Sequence, residues 1–265
     1  DEVCIYEKRK LEMNEMFDLT GKKAIIVGGA GDLGASMVEA IAESGAEVVV
    51  IDYSDAVFSI SESMREKGYT VFHIKADISD RTQIRSSYKK ALSDLGGRLD
   101  ILINSAGIQR RYKSEVFPEQ DWDDVISINL SAMFFYCQLA ANTMIPQGGG
   151  KIINIASMQS FFGGITIPAY AASKGGVAQL TKALSNDWAE HGINVNAISP
   201  GYMDTKLNTA LINDPVRNAE VLSKKKKKRW GKGEDLKGIV VFLSSAASDY
   251  ISGANIPVDG GYLGR

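Results

Sequence analysis

The sequence predicts one doubly wound α/β domain, a parallel sheet with helices packed on both faces. Three observations carry that expectation: short unbroken Val/Ile runs, longer amphipathic stretches alternating with them, and a glycine-rich turn directly after the first run. An unbroken apolar run suits a strand covered on both faces, as in a parallel sheet between helix layers. Repeated strand–helix alternation then implies right-handed crossovers within a single sheet. In order, "KKAIIVGG" (22–29) reads as the first strand and "LGASMVEAIAESG" (33–45) as a helix ending at Gly45. "AEVVVID" (46–52) is the second strand and, after a helical segment, "YTVFHIKAD" (69–77) the third. "RLDILINSAG" (98–107), "GKIINIAS" (150–157) and "GINVNAISPG" (192–201) follow, each preceded by a helical segment, and the short "ANIPVDGG" (254–261) closes the set. No Pro- or Ser-rich linker and no internal repeat divides the chain. A polar N-terminal extension over 1–18 therefore precedes one domain over 19–265.

Composition narrows the function classes. Of 265 residues, 45% are hydrophobic and 23% charged, enough to bury a substantial core. A formal net charge of -2 gives no global attraction to nucleic acid or to an acidic membrane. Cys4, Cys137, His73 and His191 stand alone, with no Cys-x-x-Cys or His-x-x-His spacing, so all four read as structural or surface residues and no metal site is expected. No apolar run reaches the ~20 residues that span a bilayer, and the first sixteen residues lack a signal peptide's apolar stretch. A soluble, reduced, cytoplasmic protein is expected, without a membrane or nucleic-acid partner.

The turn "VGGAGDLG" (27–34) joins the first strand to a helix. Glycines there let the backbone approach a phosphate, and the helix N-terminus attracts the anion. About twenty residues on, the second strand ends at Asp52, where a carboxylate would accept the adenosine ribose hydroxyls and repel the extra phosphate of NADP. NAD is therefore expected over NADP, and Asp32 leans the same way. Two glycine registers are open, Gly28-x-x-x-Asp32-x-Gly34 and Gly29-x-Gly31-x-x-Gly34, and Asp32 is a candidate helix cap.

"PAYAASKGG" (168–176) sets Tyr170 and Lys174 four residues apart. On a helix that spacing stacks both side chains on one face, and an ammonium beside a phenol favours the phenolate. Ser157 falls at the carboxyl end of a predicted strand, the edge where such sheets bind ligands.

Together the ordered motifs resemble the short-chain dehydrogenase/reductase family, from Leu19 to Gly264: the glycine turn, "DI" at 77–78, "NSAG" at 104–107, "INL" around Asn129, "IASMQS" with Ser157, Tyr-x-x-x-Lys at 170–174 and "SPGY" at 199–202. The resemblance implies a Rossmann fold and a nicotinamide cofactor. It makes Tyr170 the general acid/base, and has Lys174 lower its pKa and hold the nicotinamide ribose. Ser157 would position the substrate oxygen, and Asn129 would support a water-linked proton path to Lys174. It lines the cofactor with Gly28, Gly31, Asp32, Leu33, Gly34, Asp52, Asp77, Ile78, Asn104, Ala106, Gly107, Tyr170, Lys174, Pro200, Gly201 and Met203. It also implies a homo-oligomer, commonly a tetramer, through the helices around 119–146 and 168–190.

Substrate choice rests on fewer residues. "GIQRR" (107–111) follows a strand at its carboxyl end, which directs Gln109, Arg110 and Arg111 to the substrate cleft, where an arginine fork suits a carboxylate. With Ser157, Gln159 and Tyr170 these residues resemble those of sugar-acid members of the family, of gluconate or deoxygluconate type. A reductase of another carbonyl, such as a 3-oxoacyl thioester, would use the same catalytic residues; a non-catalytic NAD-sensing protein would have no need of all three of Ser157, Tyr170 and Lys174. The segment from about 204 to 229 corresponds to the family's substrate cover. There "SKKKKKRWG" (223–231) places five lysines in a row where relatives carry an apolar, proline-containing stretch. Like charges repel and resist burial, so this run is expected to be solvated and mobile; it is too short to make a nucleic-acid surface.

Overall fold

The computed structural model describes residues 15–264. Seven strands form one parallel sheet in the order β3-β2-β1-β4-β5-β6-β7. They are β1 (Lys23–Val27), β2 (Glu47–Asp52), β3 (Val71–Lys75), β4 (Ile101–Asn104), β5 (Gly150–Ile155), β6 (Ile193–Pro200) and β7 (Asn255–Val258). Every expected strand is present. The register Val27↔Ile51 and Val27↔Asn104 places β1 between β2 and β4, and the strand order reverses between β1 and β4. In such sheets the crevice beyond the carboxyl ends at that reversal is the ligand-binding edge.

Alternation along each strand feeds two cores. Ile25 and Val27 face one side, where they join α3 (Arg81–Asp94), α5 (Met133–Gln147) and α6 (Pro168–Trp188) through Ile84, Tyr136 and Val177. Ala24 and Ile26 face the other, against α1 (Asp32–Glu43), α2 (Ala56–Glu66) and α9 (Glu234–Ser244) through Met37, Val57 and Leu236. Each fully buried Ile or Val contributes about 1.5–3 kcal/mol, which is why the unbroken Val/Ile runs settle as strands. α1 ends at Glu43, and Gly45 (φ +101) turns the chain so tightly that a Cβ there would lie 2.6 Å from Thr20 Oγ1.

Helix α4 (Glu119–Ile126) continues through a π turn (Ser127–Ala132) into α5. This corrects the expectation about apolar runs: Glu119–Gln147 is long and apolar enough, by length and composition, to cross a membrane. Its apolar side is core surface, with Val125, Tyr136, Cys137, Ala140 and Met144 buried and Tyr136 hydrogen-bonded to Ser87 at 2.7 Å.

Of the expected N-terminal extension, residues 1–14, Cys4 included, lie outside the described residues. Met16 and Phe17 already pack on the domain: the Met16 carbonyl accepts the Ala247 N–H and the Phe17 ring stands 6.4 Å from that of Phe242. Cys137 is buried, and burial pushes its thiol up to about 12. His73 accepts or donates a 2.7 Å hydrogen bond with Ser61 and meets the Phe58 ring edge-on, a structural role as expected. Among the described residues no cluster of His, Cys, Asp or Glu could hold a metal ion.

Candidate active site

The glycine turn is built by close approach. Gly28 has φ +79, and a Cβ there would lie 2.3 Å from the Ala106 amide nitrogen; one on Gly34 would lie 2.1 Å from the Gly28 carbonyl. Only glycine satisfies both positions. At Gly31 a Cβ would meet nothing nearer than 3.6 Å. A Cβ on Gly29 would lie 2.6 Å from Val50 Cγ1, and Gly34 belongs to both registers, so close packing is shared between them. Ser105 and Ala106 donate their N–H groups to the Val27 carbonyl at 2.8 and 3.0 Å, which seats the 104–107 loop against the turn.

Asp32 does not cap the helix. The N-cap is Gly31, no side chain caps it, and Asp32 Oδ2 instead accepts the Lys206 N–H at 2.6 Å. The uncapped first turn of α1, with Leu33 in it, leaves backbone N–H groups for an anion. Asp52, at the end of β2, accepts from Ala30 N at 2.8 Å and from Ser54 N at 2.9 Å, so its carboxylate is held against the turn. Asp77 accepts from the Ser79 amide and hydroxyl, with Ile78 buried behind it. Gly201 lies so near the backbone of Asp259 that a Cβ would approach its Cα to 2.6 Å, which fixes Pro200, Gly201 and the buried Met203 at the end of β6. These features fit a dinucleotide: a tight glycine turn, an open helix N-terminus and a ribose-side carboxylate along one sheet edge.

One expected residue turns out differently. The side chain of Asn104 points into the core, donating to Asn154 Oδ1 at 2.9 Å and to Cys137 Sγ at 3.3 Å, so only its backbone lines the edge. Asn129 sits in the π turn and clamps Ile108, accepting its N–H at 2.8 Å and donating to its carbonyl at 2.9 Å; it also donates to Ser173 Oγ at 3.2 Å. Its side chain thereby braces the loop against α6. The wider helix turn is the local sequence's answer to those demands, a geometry found often at functional sites.

α6 begins with Pro168 at its first turn, which suits a helix start. Tyr170 and Lys174 occupy the next two turns on one face, with the Lys174 Nζ 5.7 Å from the Tyr170 ring centre. A Cβ on Gly176 would come within 2.9 Å of Leu130, so this glycine lets α6 approach the π turn. Lys174 is 4% exposed; its Nζ donates to the Ile155 carbonyl at 2.6 Å, and burial lowers its pKa to about 8. Gly107 lies directly in front, where a Cβ would be 3.6 Å from that Nζ. Burial raises the Tyr170 phenol, opposed by a hydrogen bond with the Ser157 side chain and by the charge of Arg111. The Lys174 ammonium is turned to the Ile155 carbonyl, and the charge of Arg111 reaches the phenol as well.

The substrate-side residues separate. Arg110 is exposed and pairs with Asp121 at 3.1 Å. Arg111 has no ion pair among the described residues. Partial burial and the positive charge of Arg217 lower its pKa, and Tyr202 and Tyr170 lie within its field. Gln109 is half-buried beside it. The Gln159 Oε1 is buried with no hydrogen-bond partner. Sequence reasoning missed Arg217 and Tyr202, whose places depend on how the covering segment folds.

That segment contains α7 (Thr209–Ile212) and α8 (Pro215–Lys224), and its base is closed by Asp204 N to Gly231 O at 2.7 Å and Gly231 N to Tyr202 O at 3.0 Å. Within the lysine run Lys226, Lys227 and Lys228 are exposed, as expected, and the departure is the burial of Lys225. Lys224 pairs with Glu220 on α8, and Lys225 is 2% exposed. Lys226 and Lys227 lay their stems along Gly261 and Gly260, and Lys228 (φ 52) returns its Nζ to the Ser223 carbonyl at 3.0 Å. Lys224 and Lys228 are held by near neighbours, whereas Lys225 reaches back to Tyr202 and Lys226 and Lys227 lie against the distant Gly260–Gly261 turn.

Comparison with known proteins agrees with this geometry. Residues 22–215 match the short chain dehydrogenase family. The chain is 45% identical over 250 residues to 2-dehydro-3-deoxy-D-gluconate 5-dehydrogenase of Dickeya dadantii (strain 3937), covering 94% of this chain and 98% of that protein. It is 37% identical over 248 residues to gluconate 5-dehydrogenase of Gluconobacter oxydans (strain 621H), covering 93% and 96%. The crystal structure of a gluconate 5-dehydrogenase from Burkholderia cenocepacia J2315 in complex with NADP and tartrate superposes with a TM-score of 0.92 at 37% identity, covering 96% of this chain and 99% of that one. The chain belongs to the short-chain dehydrogenase family.

Proposed function

We propose that this short-chain dehydrogenase interconverts a hydroxyl and a carbonyl on a sugar acid of gluconate or deoxygluconate type, with NAD as cofactor and Tyr170 as general acid/base. The observation that carries the reading is convergence: Tyr170, its Ser157 partner, buried Lys174 and unpaired Arg111 meet at the sheet edge beside the glycine turn. The nicotinamide cofactor, when bound, supplies the hydride acceptor or donor. Tyr170 takes the hydroxyl proton in oxidation and returns it in reduction, while the Ser157 hydroxyl holds the same oxygen in place. Burial alone makes the phenolate costly, so cations must favour it; Arg111 does so already. Lys174, with its pKa lowered to about 8, is poised to pass the proton onward.

Arg111 suits the substrate carboxylate, because a guanidinium without an acidic partner offers its whole fork. The unpartnered Gln159 Oε1, with Gln109 beside Arg111, suits sugar hydroxyls. The relatives' names point to the same substrate class. NAD is preferred over NADP because Asp52 faces the ribose end and residues 28–34 and 53–55 offer no lysine or arginine to a second phosphate. The family resemblance supports a cytoplasmic homo-oligomer, a tetramer through the helices around 119–146 and 168–190.

The test is nucleotide absorbance of purified protein with NAD and, in parallel, NADP against gluconate, 2-deoxygluconate and 2-dehydro-3-deoxygluconate. Turnover of one sugar acid, faster with NAD, is expected. Silence across the panel with turnover of a 3-oxoacyl thioester would overturn the substrate class.

A further inference from the structure

Lys225 is a buried lysine that the chemistry above does not use. Its Nζ donates to the Tyr202 carbonyl at 2.5 Å and to the Arg229 carbonyl at 3.1 Å, and it lies 4.7 Å from the Trp230 ring centre and 5.8 Å from that of Tyr202. Among the described residues no carboxylate is within ion-pair distance of it. Asp235 is taken by Arg229 at 2.6 and 2.7 Å, and the oxygens of Asp259 accept from Gly261 N and Leu263 N at 2.9 and 2.7 Å. The ammonium is therefore held by two carbonyl oxygens and two ring faces, a set that welcomes a cation without neutralising it. It faces a cavity of about 160 Å³ that Tyr202, Met203, Arg229, Asp235 and Asp259 also line.

The position matters because the two carbonyls belong to opposite ends of the covering segment. Tyr202 directly follows Pro200–Gly201 at its entry, and Arg229 stands at its exit beside the Met203–Gly231 bridge. Trp230 in turn donates to Asn218 Oδ1 at 2.9 Å and so ties α8 to the same point. Tyr202 lies in the field of Arg111. A chain that moves either carbonyl moves Tyr202 and α8, whose Arg217 also lies in the field of Arg111.

We infer that Lys225 is a positioning residue of the substrate site: its ammonium ties the entry and exit of the covering segment together and thereby sets Tyr202 and α8 beside Arg111. The inference rests on the sugar-acid reading for its kinetic part and on geometry alone for the rest. Removing the ammonium takes the donor from the Arg229 carbonyl and leaves the Tyr202 carbonyl with the Gly231 N–H alone, while the apolar cage remains filled by a side chain of similar volume.

The experiment compares wild type, Lys225→Met, Lys225→Arg and Lys225→Gln in two assays. In the first, trypsin cleavage after Lys226, Lys227, Lys228 and Arg229 is timed on the intact folded protein. Lys225→Met should accelerate it about tenfold or more, Lys225→Gln less, and Lys225→Arg least. In the second, steady-state kinetics on the sugar acid should show KM raised about tenfold in Lys225→Met, kcat within about threefold of wild type and the NAD dissociation constant unchanged. Equal cleavage rates in wild type and Lys225→Met would overturn the inference, as would a kcat loss at unchanged KM. If Lys225→Met does not fold, the Gln variant decides by the same cleavage rate. Because cleavage needs no substrate, a failed sugar-acid assay beside accelerated cleavage would overturn the substrate assignment and leave the positioning role standing.

Discussion

Lys174 and Lys225 are the two buried lysines among the described residues, and they were unequally visible from the sequence. Both are almost fully buried, both have pKa values lowered to about 8 by burial, and both donate to backbone carbonyls beside an aromatic face. Lys174 sits on a 21-residue helix anchored in the core, beside the phenol it accompanies. Lys225 lies just past the end of a ten-residue helix on the covering segment, in a cage assembled from Tyr202, Arg229 and Trp230. The difference teaches where local sequence rules hold. A four-residue spacing on one helix is a property of that helix. A lysine held by residues before and after a long excursion depends on the excursion's path.

Removing Lys174 should give the largest effect. Lys174→Met is expected to lower kcat by roughly 10²–10³-fold and to weaken NAD binding, both read from initial rates and a nucleotide fluorescence titration. A kcat loss no larger than that of Lys225→Met would erase the distinction between the two lysines. Gly28→Ala comes next: a β-carbon 2.3 Å from the Ala106 nitrogen at positive φ should destabilise the fold by about 2 kcal/mol or more and abolish NAD binding, as urea unfolding and the same titration would show.

Asp52→Ser sharpens the cofactor side. Loss of the carboxylate should shift the NAD over NADP preference by on the order of tenfold toward NADP, the equivalent of about 1.4 kcal/mol, measured as the ratio of kcat/KM values. An unchanged ratio would mean that Asp52 serves only the turn.

The smallest effect is on pH-dependent stability. A lysine whose folded pKa lies below its unfolded value of 10.5 penalises folding while the native state must keep it charged. The penalty is full below pH 8 and fades as pH rises from about 8 to 10.5, so Lys174 and Lys225 each make stability climb through that window. The ion-paired Lys67, Lys75 and Lys237, with raised pKa values, act oppositely and lose their contribution as pH rises through those raised values. Lys174→Met and Lys225→Met should each flatten the climb by about 1–2 kcal/mol in denaturant titrations between pH 7.5 and 10.5.

Much of the molecule was legible because its determinants are local. The Val/Ile runs gave all seven strands, since a residue buried on both faces of a sheet must be apolar wherever its neighbours come from. Tyr170, Lys174 and Ser157 came together as their spacing and strand-end position suggested. What escaped was set by contacts between distant segments. Arg110 and Arg111 are chemically identical neighbours, yet Asp121 takes one and leaves the other unpaired. Asn104 turns inward because Asn154, on the adjacent strand, meets it there. Burial of Lys225 within the lysine run escaped because it depends on Tyr202, which the path of the covering segment brings back to it.

Tyr170→Phe, assayed for sugar-acid turnover alongside NAD binding, tests the central claim most directly. The account predicts NAD affinity within about twofold of wild type and kcat lower by roughly 10²–10⁴-fold, because the phenol's proton transfer is lost while the ring and its neighbours stay. Retention of kcat within tenfold, with NAD still bound, would contradict it and move the acid/base role away from Tyr170.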